Sequence, residues 1–158
     1  MAESATPSPG VDDSSFLLLV VGAHLRAEVA DRPIAYRLQN TIAQWVGRYG
    51  EQLSAPIIPI VCCDVYFMNQ EPLQKRPTIS IGGPGVNALS AFYAQRLNPA
   101  LVRGNQMLIQ LDPEFVDLRV CIWGMDHALT ITAVDHFVER YLEPYLRAVA
   151  TQVEPKVD

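Results

Sequence analysis

Residues 78–87 read Thr-Ile-Ser-Ile-Gly-Gly-Pro-Gly-Val-Asn, and this stretch decides the fold. Its first four residues are rich in β-branched side chains and predict a short strand. The glycines that follow let the backbone turn sharply, and Pro84 suits the first turn of a helix, where its missing N–H costs nothing. Apolar residues then recur at helical spacing; they are Val86, Leu89, Phe92, Tyr93 and Leu97. The stretch therefore predicts a strand that passes directly into a helix.

Four more stretches predict strands. Phe16–Gly22 and Ile57–Phe67 are continuous apolar runs, which are typical of strands buried on both faces of a parallel sheet. Asp64 lies inside the second run and needs a partner or an exposed strand end. Met107–Leu111 and Leu118–Trp123 flank an Asp-Pro turn, which allows an antiparallel hairpin between them.

Two longer helices are predicted on either side of this region. The first begins near Asp31, two residues before Pro33, and ends at Gly50. The second begins near Asp126, and we expect Pro144 to kink or break it between residues 140 and 143. Both carry apolar residues along one helical face.

The alternation of strands and helices predicts a single-domain, Rossmann-like layered α/β fold. We expect a mostly parallel sheet of about five strands, with helices packed on it and room for one antiparallel hairpin. The domain is predicted to cover residues 16–150, with disordered tails at 1–15 and 151–158 that are rich in Ser, Pro and charged residues.

Composition excludes several classes of partner. The chain has 158 residues, a formal net charge of −5 and 49% hydrophobic residues. An acidic surface without a basic run disfavours nucleic acid and anionic membranes. No Lys or Arg precedes Phe16, so no secretory signal is expected and a cytoplasmic location is predicted. The cysteines at 62, 63 and 121 are interpreted as free thiols of a reducing compartment.

The ligand-binding residues are sought where parallel strands end, because open α/β sheets bind ligands outside the carboxyl ends of their strands. The candidates are Gly82, Gly83, Gly85, Asn87, Asp126 and Thr130. The Gly82–Asn87 loop opens a helix whose free N–H groups and positive dipole end favour an anion. The alternative is a tight turn that needs no ligand. The loop does not match G-x-G-x-x-G, and the chain has no P-loop motif, so the cofactor stays unknown.

The catalytic candidates are His24, Asp64 and His127. His127 would lie in the first turn of a helix, where the dipole disfavours its charged form and a neutral imidazole could act as a base; the alternative is a capped helix with a surface histidine. His24 shares a predicted loop with Arg26 and Glu28, whose alternative role is solvated charge. Asp64 is equally compatible with a structural role as a hydrogen-bond acceptor. The three histidines lack metal-ligand spacing, and no metal is expected.

Two stretches, Ile79–Asn87 and Val120–Thr130, resemble motifs of Rossmann-like cell-wall-binding and archaeal surface-layer repeats. In those repeats a strand leads through Gly-Gly-Pro or Gly-Gly-Thr, with a nearby Asn, into a helix. A later strand there is followed by Gly, Asp and Thr at the start of another helix. The resemblance implies a strand–turn–helix unit at both places. The missing secretory signal argues against an exported surface protein, so no family is assigned.

Three functions follow from these features. The first is a small module that binds a small anionic or nucleotide-like ligand at Gly82–Asn87. The second is a structural or assembly domain that acts through homo-oligomerisation or other protein–protein contacts. The third is a hydrolase-type enzyme that uses Asp64, His24 and His127 as acid and base groups, which requires at least two of them in one cleft.

Overall fold

The computed structural model describes residues 13–151. Of the predicted tails, 1–15 and 151–158, residues 1–12 and 152–158 lie outside the described residues, and Thr151 is the last residue of a helix. Residues 13–15, predicted to belong to the first tail, form a single 3₁₀ turn before the first strand. Among the described residues, no helix combines the length and the apolar character needed to cross a membrane.

Six strands form one sheet. In chain order they are β1 (Phe16–Val21), β2 (Ile58–Cys63), β3 (Thr78–Ile81), β4 (Pro99–Arg103), β5 (Met107–Gln110) and β6 (Arg119–Gly124). Their order across the sheet is β2-β1-β3-β6-β5-β4. The pairs β2–β1, β1–β3 and β3–β6 are parallel, whereas β5 is antiparallel to both β6 and β4. The predicted mostly parallel α/β sheet and its antiparallel hairpin are therefore confirmed.

Helices cover both faces of the sheet. They are α1 (Leu25–Tyr49), α2 (Asp64–Met68), α3 (Ala88–Tyr93), α4 (His127–Phe137) and α5 (Glu143–Thr151). The larger core packs α1, α4 and α5 on one face, and the smaller core packs α2 and α3 on the other. Alternate residues of β1 enter the two cores, and its residues from Leu17 to Val21 are all buried. Burial on both faces explains why β1 is continuously apolar.

Several element boundaries differ from the predicted ones, and those of the first helix and the second strand differ by four residues or more. The first helix begins at Leu25 rather than near Asp31, so Pro33 lies inside it. The proline leaves the carbonyl of Val29 without its helical donor, and Val29 is exposed, so water can hydrate that carbonyl. The second strand ends at Cys63 rather than Phe67, because Asp64 begins the short helix α2.

Prolines mark both the edge of the sheet and the break in the last helix. The sheet gains a sixth strand, β4, which is a half-exposed edge strand that begins at Pro99. Proline is tolerated at the start of an edge strand, but in the sequence alone a proline argues against a strand. The predicted break before Pro144 is confirmed: one π-helical turn, Val138–Leu142, separates α4 from α5. A π turn accommodates the carbonyl that a proline cannot bond.

The strand order places a crevice at the carboxyl ends of β1 and β3. The chain leaves β1 toward α1 on one face and leaves β3 toward α3 on the other. Connections that depart in opposite directions open a gap between them, which is where ligands bind in open α/β sheets. The helix α4, which follows β6, lies on the same face as α1 and forms the far wall of this gap.

Gly22, directly after β1, lies where the chain packs closely against the loop that follows β3. A Cβ atom at Gly22 would overlap the backbone carbonyl of Val86 in the loop after β3. We expect Gly22→Ala to lower the free energy of unfolding by about 1–3 kcal/mol, the usual cost of overpacking. Gly47→Ala is the control, because Gly47 lies in α1 with no atom within 4 Å of where a Cβ would stand, and it should stabilise by about 0.5–1 kcal/mol. Urea unfolding measures both; equal effects would contradict this packing.

Candidate functional site

A cleft of about 320 Å³ opens at the carboxyl edge of the sheet, above the end of β3. Its walls are the first turns of α1, the loop after β3, the end of β6 and the start of α4. The residues that line it are Arg26, Ala30, Asp31, Gly83, Pro84, Gly85, Val86, Trp123, Gly124, Met125, Asp126, His127 and Thr130. The cleft thus joins the two segments that the sequence singles out, Gly82–Asn87 and the start of α4.

The loop after β3 is held by Asn87, one of the predicted ligand-binding residues. The Asn87 amide nitrogen donates to the carbonyls of Val20 and Ile81, at 3.3 and 3.0 Å. Its side-chain oxygen accepts the N–H groups of Leu89 and Ser90 and so caps α3. Asn87 is buried and these four bonds use its side chain fully. Its place is inside the wall, where it fixes the loop, and it does not line the cleft.

The glycines of this loop have separate roles. Gly82 has a φ of +113°, which favours glycine, and its N–H continues the ladder to Ile122. Gly83 and Gly85 line the cleft, and their N–H groups form no hydrogen bond among the described residues. Trp123 packs on Gly83, with a ring carbon 3.8 Å from where a Cβ would stand. Gly82 therefore shapes the turn, and Gly83 and Gly85 offer donors.

The start of α4 forms the opposite wall. The Asp126 carboxylate accepts the N–H of Leu129 at 2.8 Å and caps the helix. The hydroxyl of Thr130, which is buried, accepts the N–H of Gly124 and donates to the Asp126 carbonyl. These bonds bend the chain from β6 into α4. The N–H of His127 has no partner among the described residues, as expected for the first position of a helix.

Asp31 is the residue that the sequence reasoning missed. It is only 6% exposed, lines the cleft and forms no hydrogen bond or ion pair among the described residues. One carboxylate oxygen lies 2.5 Å from where a Cβ on Gly82 would stand, so glycine is needed there for space as well as conformation. Burial raises the pKa of Asp31 to about 6, and the charge of His127 opposes that rise.

A signal for Asp31 was present in the sequence. It shares the buried face of α1 with Ala27, Ile34, Ala35 and Leu38, at spacings of three and four residues. The predicted helix start near Asp31, before Pro33, placed this residue at the end of the helix and not on its buried face. Had the helix been extended back to Leu25, a carboxylate would have stood out on an apolar stripe.

The three catalytic candidates occupy different positions. The Asp64 carboxylate accepts the backbone N–H groups of Ala23, Val65 and Ala88 at 3.0, 2.7 and 2.7 Å, and its side chain is buried. His24 is exposed and caps α1, where its Nδ1 accepts the N–H of Arg26. Of the three, only His127 lines the cleft.

The charges around the cleft are mixed. Arg26 and His127 are exposed at its rim, and Arg26 forms no ion pair among the described residues. Asp31 and Asp126 supply the negative groups. Glu28, named with Arg26 in the sequence, instead pairs with Arg32 at 3.0 Å on the outer side of α1. The cleft therefore presents an unpaired arginine and an unpaired aspartate to the same space.

Neither metal ligation nor thiol chemistry is apparent in the described part of the chain. Residues 13–151 contain no cluster of three or more His, Cys, Asp and Glu side chains that could hold a metal ion. The three cysteines are free, and burial raises the pKa of Cys62 and of Cys121 to about 11. These two thiols stay protonated near neutral pH and are poor nucleophiles.

Comparison with models of protein families, with curated proteins and with solved structures finds no match to this chain. The function is therefore inferred from the geometry of the cleft.

Asp64 should act through stability. Asp64→Ala leaves three N–H groups without their acceptor, and we expect it to lower the free energy of unfolding by about 2–4 kcal/mol. Asp126→Ala removes an exposed cap and should cost about 1 kcal/mol. Urea unfolding of both variants checks the order of these effects. A smaller cost for Asp64→Ala than for Asp126→Ala would contradict the structural role of Asp64.

Asp31 should make the fold less stable as pH rises. A folded-state pKa of about 6 exceeds the ordinary value of 3.8, so the folded protein binds the proton more tightly. The unfavourable charge therefore develops from about pH 4 to about pH 6 and persists above it. We expect it to cost about 1–2 kcal/mol near neutral pH, allowing for solvent in the cleft. Asp31→Asn should remove this part of the pH dependence when urea unfolding is compared at about pH 4.5 and about pH 7.5. If wild type and variant differ in free energy of unfolding by the same amount at both pH values, the expectation is wrong.

Proposed function

We propose that the protein binds a small anionic metabolite, of the phosphate or carboxylate class, in the cleft above β3. One observation carries the proposal: the N–H groups of Gly83, Gly85 and His127 lack partners among the described residues around one cleft, which also holds the buried, unpaired Asp31. Backbone N–H groups that are left without a protein acceptor are satisfied by water or by a ligand. Unbonded donors on residues of two segments that line one cavity favour a ligand that joins them.

The electrostatics support an anion at this place. The helix α4 has 11 residues, and its amino end carries a partial positive charge at the cleft. Arg26 adds a full positive charge at the rim and has no competing carboxylate partner among the described residues. Backbone donors at a helix amino end, together with an arginine, are a common arrangement for anion recognition.

The size of the cleft limits the ligand. A volume of about 320 Å³ lies at the lower end of the range of roughly 300–1,000 Å³ that is usual for small-molecule sites. The ligand is therefore a small metabolite rather than a dinucleotide. This agrees with the absence of G-x-G-x-x-G from the chain.

Assembly is the second candidate function, and an exposed apolar stripe favours it. Leu25, Val29 and Tyr36 on α1 are each at least half exposed, and they recur at spacings of four and seven residues along the helix. Exposed apolar side chains favour contacts with another protein, and here Arg32 also lies against the Tyr36 ring. The hydrolase alternative required two of its three candidates in one cleft, and His127 alone lines this one.

Binding of inorganic phosphate tests the proposed function. We expect phosphate to shift the backbone amide resonances of Gly83, Gly85 and His127 in two-dimensional NMR spectra. Arg26→Gln should weaken binding about three- to tenfold, because it removes one charge-assisted contact. Arg48→Gln is the matched control, since Arg48 is an exposed arginine near the other end of α1, and it should leave the affinity unchanged.

Two results would overturn the proposed function. One is the absence of any saturable shift at these three amides with millimolar phosphate. The other is an equal loss of affinity in the two arginine variants, which would indicate a general effect of charge rather than a site at the cleft.

A further inference from the structure

We propose that the ligand is a phosphate monoester with a free hydroxyl group, and that Asp31 recognises this hydroxyl. The inference rests on the proposed function and assigns chemistry to a second part of the same cleft. The N–H groups of Gly83, Gly85 and His127, with Arg26, receive the phosphate. Asp31 receives a hydrogen-bond donor from the remainder of the molecule.

The position of Asp31 makes it a recognition group. It is only 6% exposed, it lines the cleft, and it forms no hydrogen bond or ion pair among the described residues. Its carboxylate lies over Gly82, the residue directly before the Gly83 N–H. Its carboxylate oxygens are not among the side-chain atoms that are fully shut off from solvent without a partner, so they remain open to the cleft and available to a ligand. Its proximity to the free N–H of Gly83 places acceptor and donor groups within reach of one small ligand.

The carboxylate also decides which anions fit. A bare anion in this cleft would gain the N–H groups and Arg26, but it would be repelled by Asp31. A molecule that carries a donor beside its anionic group relieves this repulsion and satisfies the carboxylate. Sites that hold an unpaired buried acceptor discriminate strongly against ligands without the matching donor.

A hydroxyl fits this position better than an ammonium group. Arg26 and His127 already stand at the rim, and the amino end of α4 adds a partial positive charge. A ligand ammonium would be repelled by Arg26 and by the amino end of α4, whereas a hydroxyl donates to Asp31 without charge. Phosphate fits the donor set better than carboxylate, because three N–H groups and a guanidinium match its three terminal oxygens.

Two ligands of similar size isolate the hydroxyl. Glycerol 3-phosphate and n-propyl phosphate share a three-carbon chain and a phosphate, and only the first has hydroxyl groups. We expect the wild-type protein to bind glycerol 3-phosphate at least about tenfold more tightly in calorimetric or NMR titrations, because a hydrogen bond to a charged group is lost with the other ligand.

Variants then assign the preference to Asp31. Asp31→Asn should reduce the preference to less than about threefold, while inorganic phosphate binds as tightly as before or more tightly because a repelling charge is gone. Asp135→Asn is the control: it removes an exposed carboxylate of α4 that pairs with Arg37 outside the cleft, and it should keep the wild-type preference.

The outcomes separate the inference from the proposed function. If phosphate binds but glycerol 3-phosphate and n-propyl phosphate bind equally, the hydroxyl inference is wrong and the anion site stands. The same conclusion follows if Asp31→Asn keeps the full preference, or if phosphoethanolamine, which carries an ammonium, binds more tightly than glycerol 3-phosphate. If none of the phosphates binds the wild-type protein, both are wrong.

Discussion

The structure of the sheet edge beside the cleft depends on the hydrogen bonds that the carboxylate of Asp64 accepts. The carboxylate accepts N–H groups from three segments: Ala23 after β1, Val65 at the start of α2, and Ala88 at the start of α3. One buried side chain therefore holds together the connections that leave three neighbouring parts of the sheet. Hydrogen bonds from three backbone donors also compensate the burial of a charge that would otherwise be costly.

Asn87 extends this arrangement to the loop that borders the cleft. Its amide bridges the ends of β1 and β3 through Val20 and Ile81, and its oxygen caps α3. Asn87 holds the loop from inside the wall, and the Gly83 carbonyl accepts the N–H groups of Val86 and Asn87 and so closes the turn. The N–H groups of Gly83 and Gly85 remain unbonded within residues 13–151. Residues that hold the loop and residues that offer donors to the candidate site are therefore close neighbours in the chain.

Asp31 differs from Asp64 and Asn87, because it lowers the stability of the fold. A carboxylate on the buried face of α1 destabilises the fold at neutral pH, because burial raises its pKa to about 6 and the charge of His127 only partly opposes that rise. The fold makes room for it through Gly82, whose missing side chain leaves space for the carboxylate. Residues that reduce stability without a structural benefit tend to lie at functional sites. The Asp31–Gly82 contact therefore supports the interpretation of the cleft as a binding site.

The sequence by itself determined the class of fold, and it predicted the edge of the sheet at which the cleft opens. Apolar runs, helical spacing and the Gly82–Asn87 junction are local signals, and local signals are sufficient to define strands, helices and turns. Tertiary structure alone decided what each polar residue does. Asp64 and Asn87 became structural because distant backbone donors and acceptors converge on them, and Asp31 became a candidate ligand contact because none of the described residues does so. Several of these partners come from segments far apart in the chain, so only the packing of β1, β2 and β3 could bring them together.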